Sequence, residues 1–242
     1  METKDVRAML DLIAEPKELS EMITRCINDH AVQVGHLEIL EAGCGRRWPF
    51  RLEQVDYTLI GVDTDRDALE SRQKLKKDLD SGILGDLRTV ELTKDQFDVI
   101  YSSFVLEHID GAKQVLENFL HWLKPGGLMI LTFPDRDSVY GFFTRVTPFW
   151  IHVLYKRYFF GEKNAGRSGF GPYPTFHDPV ISRAAFRQFT CDHGLVILKE
   201  YGFGTLPRFQ TLFTKLIQAL SFGRLDSRHR NLVYVLQNRK QT

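Results

Sequence analysis

The stretch "ILEAGCGRRWPF", Ile39 to Phe50, decides the fold class of this chain. Its first half is aliphatic and stops at Gly-Cys-Gly, which is typical of a buried strand that ends in a tight turn. Gly43 and Gly45 have no Cβ, so a ligand can approach the backbone there. Pro49 cannot lie inside the helix that usually follows such a turn. The stretch therefore predicts a ligand-binding turn whose helix is missing.

Composition predicts one globular domain over residues 1–242. Hydrophobic residues make up 43% and charged residues 26% of the chain, which is ordinary for such a domain. The formal charge is only +1, so composition gives no support to nucleic-acid binding. The three cysteines are far apart and show no metal-ligand spacing, so we predict neither a disulfide framework nor a metal site. We find no signal-peptide core and no run of 18 apolar residues, and we expect a cytoplasmic protein.

Strands alternate with helices on both sides of the opening stretch. The predicted strands are "HLEILEAG", "YTLIGVD", "FDVIYSSFVL", "GLMILTF", "LVILKEYGF" and "NLVYVLQ". The segments between them include the charged helix "DRDALESRQKLKKDLD" and the helix "GAKQVLENFLHWL". Helical patterning over residues 1–35, interrupted at Pro16, predicts two short N-terminal helices. This order predicts an α/β fold with a Rossmann-like, doubly wound parallel sheet.

In such a sheet, ligands bind beyond the carboxyl ends of the strands. The second strand ends at Asp63, whose carboxylate can accept hydrogen bonds from the hydroxyls of a ribose. A dinucleotide site would need a third glycine where this chain has Trp48, so the turn predicts a nucleoside without pyrophosphate. The alternative is that Gly43 and Gly45 only form a tight turn and that Asp63 caps the next helix.

Three later segments complete a family pattern. Asp86 follows "GILG", and then come "FDVIYSSFVLEHI" and "LKPGGLMILTFPD". Together with the glycine turn and Asp63, these motifs resemble the class I S-adenosylmethionine-dependent methyltransferases, in particular the small-molecule group that includes the ubiquinone-biosynthesis type. The resemblance covers Leu37 to Asp135, with a weaker echo in "RAAFRQFTCDHGLVILKEYGF".

The resemblance implies S-adenosylmethionine as cofactor and a seven-stranded sheet whose last strand, "NLVYVLQ", is antiparallel. It also implies that Glu41, Gly43 and Gly45 line the methionine part of the cofactor and that Asp63 and Thr64 hold the ribose. Asp86 and Leu87 would bracket the adenine, and Ser102 and Ser103 would face the methionine amine. We expect one of Arg46 and Arg47 to pair with the methionine carboxylate or an acidic acceptor and the other to be solvated. Solvation of both is the alternative.

A sulfonium is an activated methyl donor, so alignment is the main task of the protein, and positioning can contribute roughly 7–11 kcal/mol. A general base is needed only for a hydroxyl or a protonated amine. His108, in "LEHI", is the first candidate, with His177 and Tyr173 as alternatives. The competing interpretation is that His108 only stabilises its own loop.

An aromatic insertion over residues 136–180 is predicted to act as a lid that selects the acceptor. Ten of the eighteen phenylalanines lie between Phe133 and Phe189. Thr147, Pro148 and Gly161 predict a short helix that is apolar nearly all round until Lys156-Arg157. We expect a hydrophobic or amphiphilic acceptor, lipid-like or small, bound by Trp150, Leu154 and Phe170, and possible peripheral contact with a membrane surface. Ordinary core packing under a long loop is the alternative.

The predicted function is methyl transfer from S-adenosylmethionine to a hydroxyl, a carboxyl or an activated carbon. Alternatives are a methyltransferase fold repurposed for chemistry such as cyclisation, and a nicotinamide-dependent oxidoreductase. Nucleic acid is not an expected partner, because target-base motifs such as N-P-P-Y are absent and the matching stretch reads "SSFV". The acceptor and the oligomeric state stay open.

Overall fold

The computed structural model describes residues 10–159, 161, 163–166, 173–176, 178–204, 217–222 and 224–239. The strands are β1 (Asp11–Ile13), β2 (Leu37–Ala42), β3 (Tyr57–Asp63), β4 (Ser81–Leu84), β5 (Phe97–Ser103), β6 (Leu123–Pro134), β7 (Val196–Phe203) and β8 (Asn231–Gln237). The α-helices are α1 (Pro16–Val34), α2 (Arg66–Glu70), α3 (Ala112–Trp122), α4 (Val139–Val146), α5 (Phe149–Phe159) and α6 (Arg183–Asp192). No helix within these ranges is both long and apolar enough to cross a membrane.

The eight strands form one mixed sheet in the order β1-β7-β8-β6-β5-β2-β3-β4. Strand β8 runs antiparallel to both of its neighbours, β6 and β7, and the other pairs are parallel. From β2 the chain continues outward to β3 and β4, whereas from β5 it continues to β6 on the other side of the sheet. The strand order therefore reverses between β2 and β5. A ligand site is expected at this switch point.

Helices cover both faces of the sheet, and strand β2 shows why. Leu37 and Ile39 pack with α1 in one buried cluster, while Leu40 and Ala42 pack with α3 and α6 in another. Because successive side chains of a strand point to opposite faces, a strand buried on both faces reads as a continuous apolar run. The predicted α/β fold with a doubly wound sheet is therefore confirmed.

The predicted count of seven strands is wrong, because the sheet has an eighth strand at its edge. Asp11–Ile13 pairs in parallel with Tyr201–Phe203. Two N-terminal helices are also not found in the described part of residues 1–35, where a strand precedes a single helix that begins at Pro16. Proline is favoured at the first position of a helix because no N–H is needed there. A three-residue strand is too short to show any periodicity in the sequence.

The insertion contains the predicted helix, Phe149–Phe159, and a second one, α4, which begins after the Ser138 cap. The Ser138 hydroxyl accepts a hydrogen bond from the Gly141 N–H at 2.9 Å. Apolar residues recur at helical spacing from Phe209 to Leu220, which predicts a further helix. Most of this segment lies outside the described residues, and its described part, 217–220, is helical.

The charged segment after β3 turns sharply. Helix α2 is capped by Asp65, whose carboxylate accepts a hydrogen bond from the Ala68 N–H at 3.1 Å. The helix then widens into a π-helical turn over Ser71–Lys76, which ends at Lys77 with a φ of 54°. Such turns often occur at functional sites. Here the turn brings Arg72, which is fully buried, under the end of β2.

Candidate active site

A cleft of about 1030 Å³ opens at the carboxyl ends of the strands, at the switch point between β2 and β5. The segments that follow β2, β3, β4 and β5 line it, and residues 173–176 close one side. The structure brings together most of the predicted site residues, namely Gly43, Gly45, Asp63, Thr64, Asp86, Leu87, Ser103, His108 and Tyr173.

The two glycines of the turn serve different purposes. Gly43 has a φ of +73°, and a Cβ there would lie 2.3 Å from a methyl group of Val105. Gly45 has a φ of +51° and open space where its Cβ would be. Gly43 is therefore required by packing against the segment after β5, while Gly45 leaves the backbone open to the cleft.

Asp63 fixes the turn from the cleft side. Its Oδ2 accepts a hydrogen bond from the Gly45 N–H at 2.7 Å, and its Oδ1 accepts one from the Asp65 N–H at 2.9 Å. Each carboxylate oxygen has a further lone pair, so Asp63 can hold the turn and still accept hydroxyls of a ligand.

Arg72 fixes the turn from the opposite side. Its Nη1 donates to the Cys44 carbonyl at 2.8 Å, its Nη2 to Glu41 Oε2 at 2.9 Å, and its Nε to Asp78 Oδ1 at 2.7 Å. Burial raises the pKa of Glu41 to about 7, although its hydrogen bond to Arg72 opposes the shift. Glu41 does not line the cleft, contrary to its expected contact with the methionine part of the cofactor.

The turn does not offer a phosphate site. The Gly45 N–H is already donated to a carboxylate, and residues 47–50 are not helical, so the helix N-terminus that would hold a phosphate is missing. Among the charged side chains that line the cleft, five are aspartates and three are arginines. An adenosyl group that carries a sulfonium cation and no phosphate fits this donor set better than a pyrophosphate does.

Asp86 lies at the end of the cleft near β4. Both oxygens of Asp86 accept hydrogen bonds from Arg88, and these bonds lower the pKa of Asp86. The neighbouring Leu87 is held in place by Asn118, whose amide donates to the Leu87 carbonyl at 2.9 Å. The structure thus gives the predicted adenine-binding pair a fixed position.

The arginines after the turn differ from each other. Arg46 lines the cleft and donates to Asp65 Oδ2 at 3.1 Å, whereas Arg47 is exposed and does not line the cleft. The predicted pairing of one of them with a ligand carboxylate stays a prediction, and Arg46 is the one that lies in position for it.

The two serines at the end of β5 point in different directions. Ser103 lines the cleft, but Ser102 is buried, and its hydroxyl has no hydrogen-bond partner among the described residues. Ser102 therefore does not line the cleft, contrary to its expected contact with the methionine amine, because alternate residues of a strand lie on opposite faces.

His108 has a defined tautomer. Its Nδ1 lies 2.8 Å from the Pro174 carbonyl oxygen, which can only accept a hydrogen bond, so Nδ1 carries the proton. When the ring is neutral, Nε2 is left as a basic nitrogen. Burial lowers the pKa of His108, which keeps the ring neutral near pH 7. The ring also contacts the edge of Tyr173, with the ring centroids 5.6 Å apart.

Glu107 is buried, and its carbonyl accepts the Phe176 N–H at 2.9 Å. Burial raises the pKa of its carboxyl to about 8, so the group is largely protonated at pH 7. Its Oε2 has no hydrogen-bond partner among the described residues. Glu107 and His108 together attach residues 174–176 to the cleft.

Two of the three predicted acceptor-binding residues, Trp150 and Leu154, are not brought to the cleft. Trp150 and Leu154 are exposed and do not line it. Phe170 and His177 lie outside the described residues. The aromatic lid therefore stays a prediction.

Sequence reasoning missed Arg72 and also Phe104, which lines the cleft with a φ of 56°. Arg72 was one charge in a charged helix, and no periodicity distinguishes it. The positive φ of Phe104 has no signal in its residue type. Within the described ranges, no group of three or more potential metal ligands occurs.

The fold and the cleft define a Rossmann-like domain whose candidate ligand site lies at the switch point of its sheet. A family model described as "Methyltransferase domain" matches residues 40–131. Residues 40–131, which carry the motifs described above, are thus similar to the class I S-adenosylmethionine-dependent methyltransferases.

Similar proteins differ in the acceptor that their names state. The chain is 31% identical over 101 residues to phosphoethanolamine N-methyltransferase 3 of Arabidopsis thaliana, covering 39% of this chain and 20% of the relative. It is 31% identical over 146 residues to the mitochondrial ubiquinone biosynthesis O-methyltransferase of Candida albicans, covering 53% and 44%. The matches span between a fifth and a half of the length of the relatives.

Among solved structures, an S-adenosylmethionine-dependent methyltransferase from Mesorhizobium loti superposes with a TM-score of 0.52 at 18% identity, covering 88% of this chain and 96% of that one. This likeness concerns the fold alone.

Replacing Arg72 by Gln is expected to destabilise the protein, because Glu41 is left buried without its cation. Breaking a buried pair costs about 3–5 kcal/mol, and for a protein of this size each kcal/mol lowers the Tm by roughly 2–4 °C. The pKa of Glu41 is raised on folding, so the folded state loses stability as pH rises toward that pKa. Without Arg72 the pKa of Glu41 rises further, so the variant continues to lose stability above pH 7. The Tm difference between the variant and the parent therefore grows between pH 6 and pH 8. Thermal unfolding at both pH values checks this.

The control is the double variant Arg72→Gln/Glu41→Gln, which removes both charges and should recover part of the lost Tm and its pH dependence. Equal melting of Arg72→Gln and the parent at pH 8 would show that the guanidinium does not hold the turn.

Replacing Asp63 by Ala is expected to weaken the binding of S-adenosylmethionine by about ten- to a hundred-fold, since hydrogen bonds to a charged group contribute about 1.5–3 kcal/mol each. The affinity of Asp63→Asn should lie between those of this variant and the parent, because the amide oxygen can still accept a hydrogen bond from the Gly45 N–H. Asp67→Ala is the matched control, as Asp67 also lines the cleft but is exposed. Calorimetric titration checks all three, and unchanged affinity of Asp63→Ala would limit Asp63 to a structural role.

Proposed function

We propose that this protein transfers a methyl group from S-adenosylmethionine to a hydroxyl of a small hydrophobic or amphiphilic acceptor. The observation that carries the proposal is that one cleft is lined both by the glycine turn fixed by Asp63 and by His108, whose Nδ1 is held by the Pro174 carbonyl. The first marks the cofactor side and the second the acceptor side.

On the cofactor side, the residues bind and orient. Asp63 would accept the ribose hydroxyls, Asp86 and Leu87 would bracket the adenine, and Ser103 would lie near the methionine amine. When bound, S-adenosylmethionine supplies a methyl group activated by its sulfonium. The excess of aspartates over arginines in the cleft favours a cationic ligand.

On the acceptor side, His108 is arranged to take a proton. The Pro174 carbonyl fixes the proton on Nδ1, so Nε2 can accept the proton of a hydroxyl as the methyl group is transferred. The lowered pKa keeps this nitrogen unprotonated at neutral pH. The fixed tautomer is compatible with both roles, because a structural histidine needs only the Nδ1 bond and a base needs an unprotonated Nε2 as well.

The wall around His108 is apolar and aromatic, which supports a hydrophobic acceptor. Phe104, Val105, Ile109, Tyr173 and Phe176 line this part of the cleft. Hydrophobic pockets with a few polar groups are typical of small-molecule sites. The name of the Candida albicans relative, an O-methyltransferase, agrees with an oxygen acceptor, whereas that of the Arabidopsis relative states a nitrogen.

The protein is expected to bind S-adenosylmethionine and its demethylated product at least ten-fold more tightly than NAD, a difference of about 1.4 kcal/mol or more. The reason is that the glycine turn offers no phosphate site. Calorimetric titration with the three ligands checks this. Tighter binding of NAD would favour the nicotinamide-dependent oxidoreductase instead.

The reaction is tested by following formation of the demethylated cofactor with a panel of phenols, aliphatic alcohols and carboxylic acids. Turnover with a hydroxyl acceptor supports the proposal. Tight cofactor binding without methyl transfer to any member, accompanied by cofactor-dependent rearrangement of an acceptor, would favour the repurposed fold.

With a hydroxyl acceptor, His108→Ala is expected to lower kcat by about 10²- to 10⁴-fold, while S-adenosylmethionine affinity changes little. In the parent, the rate should fall on acidification through the lowered pKa of His108, below the ordinary value of about 6.5. His108→Asn keeps a donor for the Pro174 carbonyl but removes the base, so it should not restore the rate. His121→Ala, an exposed histidine of α3, is the matched control. Rescue by Asn would show that His108 only anchors residues 174–176.

A further inference from the structure

Helices α4 and α5 expose a set of large apolar side chains that the rest of the described molecule does not cover. We call Val146, Phe149, Trp150, Ile151, Leu154 and Tyr158 the aromatic face. The exposed fraction is 54% for Val146, 61% for Trp150 and 81% for Tyr158. Single exposed apolar residues are common, but a contiguous group of this kind marks an interaction site.

The spacing places three of these side chains on one side of α5. Trp150, Leu154 and Tyr158 are four residues apart, and residues at that interval lie above one another on a helix. Ile151 lies beside them. The face is therefore a continuous stripe along the helix.

The aromatic face is separate from the cleft. None of its six residues is among those that line the cleft. A role as the wall of the acceptor site in this arrangement is therefore not supported, and the face requires another occupant.

The charge of the segment identifies the kind of occupant. Residues 139–166 contain Arg145, Lys156, Arg157 and Lys163 against the single acid Glu162, a net charge of 4 − 1 = +3. The whole chain carries only +1, so the remaining residues sum to 1 − 3 = −2. A positive segment next to an apolar stripe complements a surface that is both apolar and anionic.

A second copy of this chain would bring the same positive charge against the first, and like charges oppose that contact. Tryptophan and tyrosine are enriched where membranes meet water, because their rings are apolar and their N–H or O–H groups are polar. Basic residues beside such rings attract anionic lipid headgroups.

We propose that the aromatic face docks on an anionic lipid surface, with α5 lying in the plane of the headgroups. Helices of this kind bury their apolar side about 5–10 Å into the boundary between headgroups and acyl chains. This proposal goes beyond the methyl-transfer function and does not depend on it.

Trp150 provides the readout. The chain has three tryptophans, of which Trp122 is 3% exposed, Trp48 is half-buried and Trp150 is 61% exposed. The full-length protein is mixed with vesicles of phosphatidylcholine alone or with about one third phosphatidylglycerol. With the anionic vesicles, emission should shift to the blue and be quenched by lipids that carry a nitroxide on the acyl chain. Trp150→Phe should abolish both changes.

Flotation of the vesicles measures the affinity. Trp150→Ser/Tyr158→Ser is expected to weaken binding by about ten-fold or more, because it removes apolar surface from the interface. Val32→Ser/Leu75→Ser is the matched control, since these side chains are 88% and 80% exposed elsewhere on the molecule. Lys156→Gln/Lys163→Gln should weaken binding by about five-fold per charge, whereas Lys156→Arg/Lys163→Arg should retain it. Raising the salt concentration should weaken binding of the parent.

Each variant is also checked by its Tm and by calorimetric binding of S-adenosylmethionine, both of which should match the parent because the aromatic face lies outside the cleft. Absence of vesicle binding, or equal binding to neutral and anionic vesicles, would overturn the proposal. So would self-association in solution that is abolished by Trp150→Ser/Tyr158→Ser, since the occupant would then be a second copy. Loss of methyl transfer with vesicle binding intact would reject only the proposed function.

Discussion

The glycine turn of this protein depends on one buried guanidinium. A glycine turn after the first central strand is usually followed by a helix, but Pro49 and the residues around it form none. Arg72 replaces that support, because it holds the Cys44 carbonyl, Glu41 and Asp78 at once. Asp63 holds the other side of the turn through the Gly45 N–H. The turn is thus fixed by the side chains of Arg72 and Asp63 instead of by a helix.

Much of the fold could be predicted because the central strands are long and apolar on both faces, and their ends carry the residues of the family motifs. Which residues face the cleft was harder to predict, because successive side chains of a strand alternate between the two faces of the sheet. In β2, Glu41 lies on the same face as Leu37 and Ile39, so its side chain meets Arg72 under the sheet. In β5, only one of two adjacent serines can face the cleft. A motif identifies where a strand ends but not to which face its last side chains point.

Contacts between segments that are distant in the sequence could not be predicted from the sequence. The hydrogen bond from His108 to the Pro174 carbonyl joins residues 66 apart in the sequence, and it turns a candidate histidine into one with a fixed tautomer. Arg72 reaches the turn only because the helix after β3 widens into a π-helical turn. The three-residue strand β1 and the four-residue strand β4 depend on neighbours in the sheet, which a local pattern does not contain.

The charge distribution links the two proposed sites. Five aspartates line the cleft against three arginines, whereas the segment that contains α4 and α5 carries +3. Since the whole chain has a charge of only +1, the opposite charges of these two regions do not follow from the net charge of the chain. An acidic cleft favours a cationic cofactor, and a basic aromatic segment favours an anionic surface. If both operate together, the lipid surface would hold the protein where amphiphilic acceptors are concentrated, while the cleft selects the cofactor by its charge.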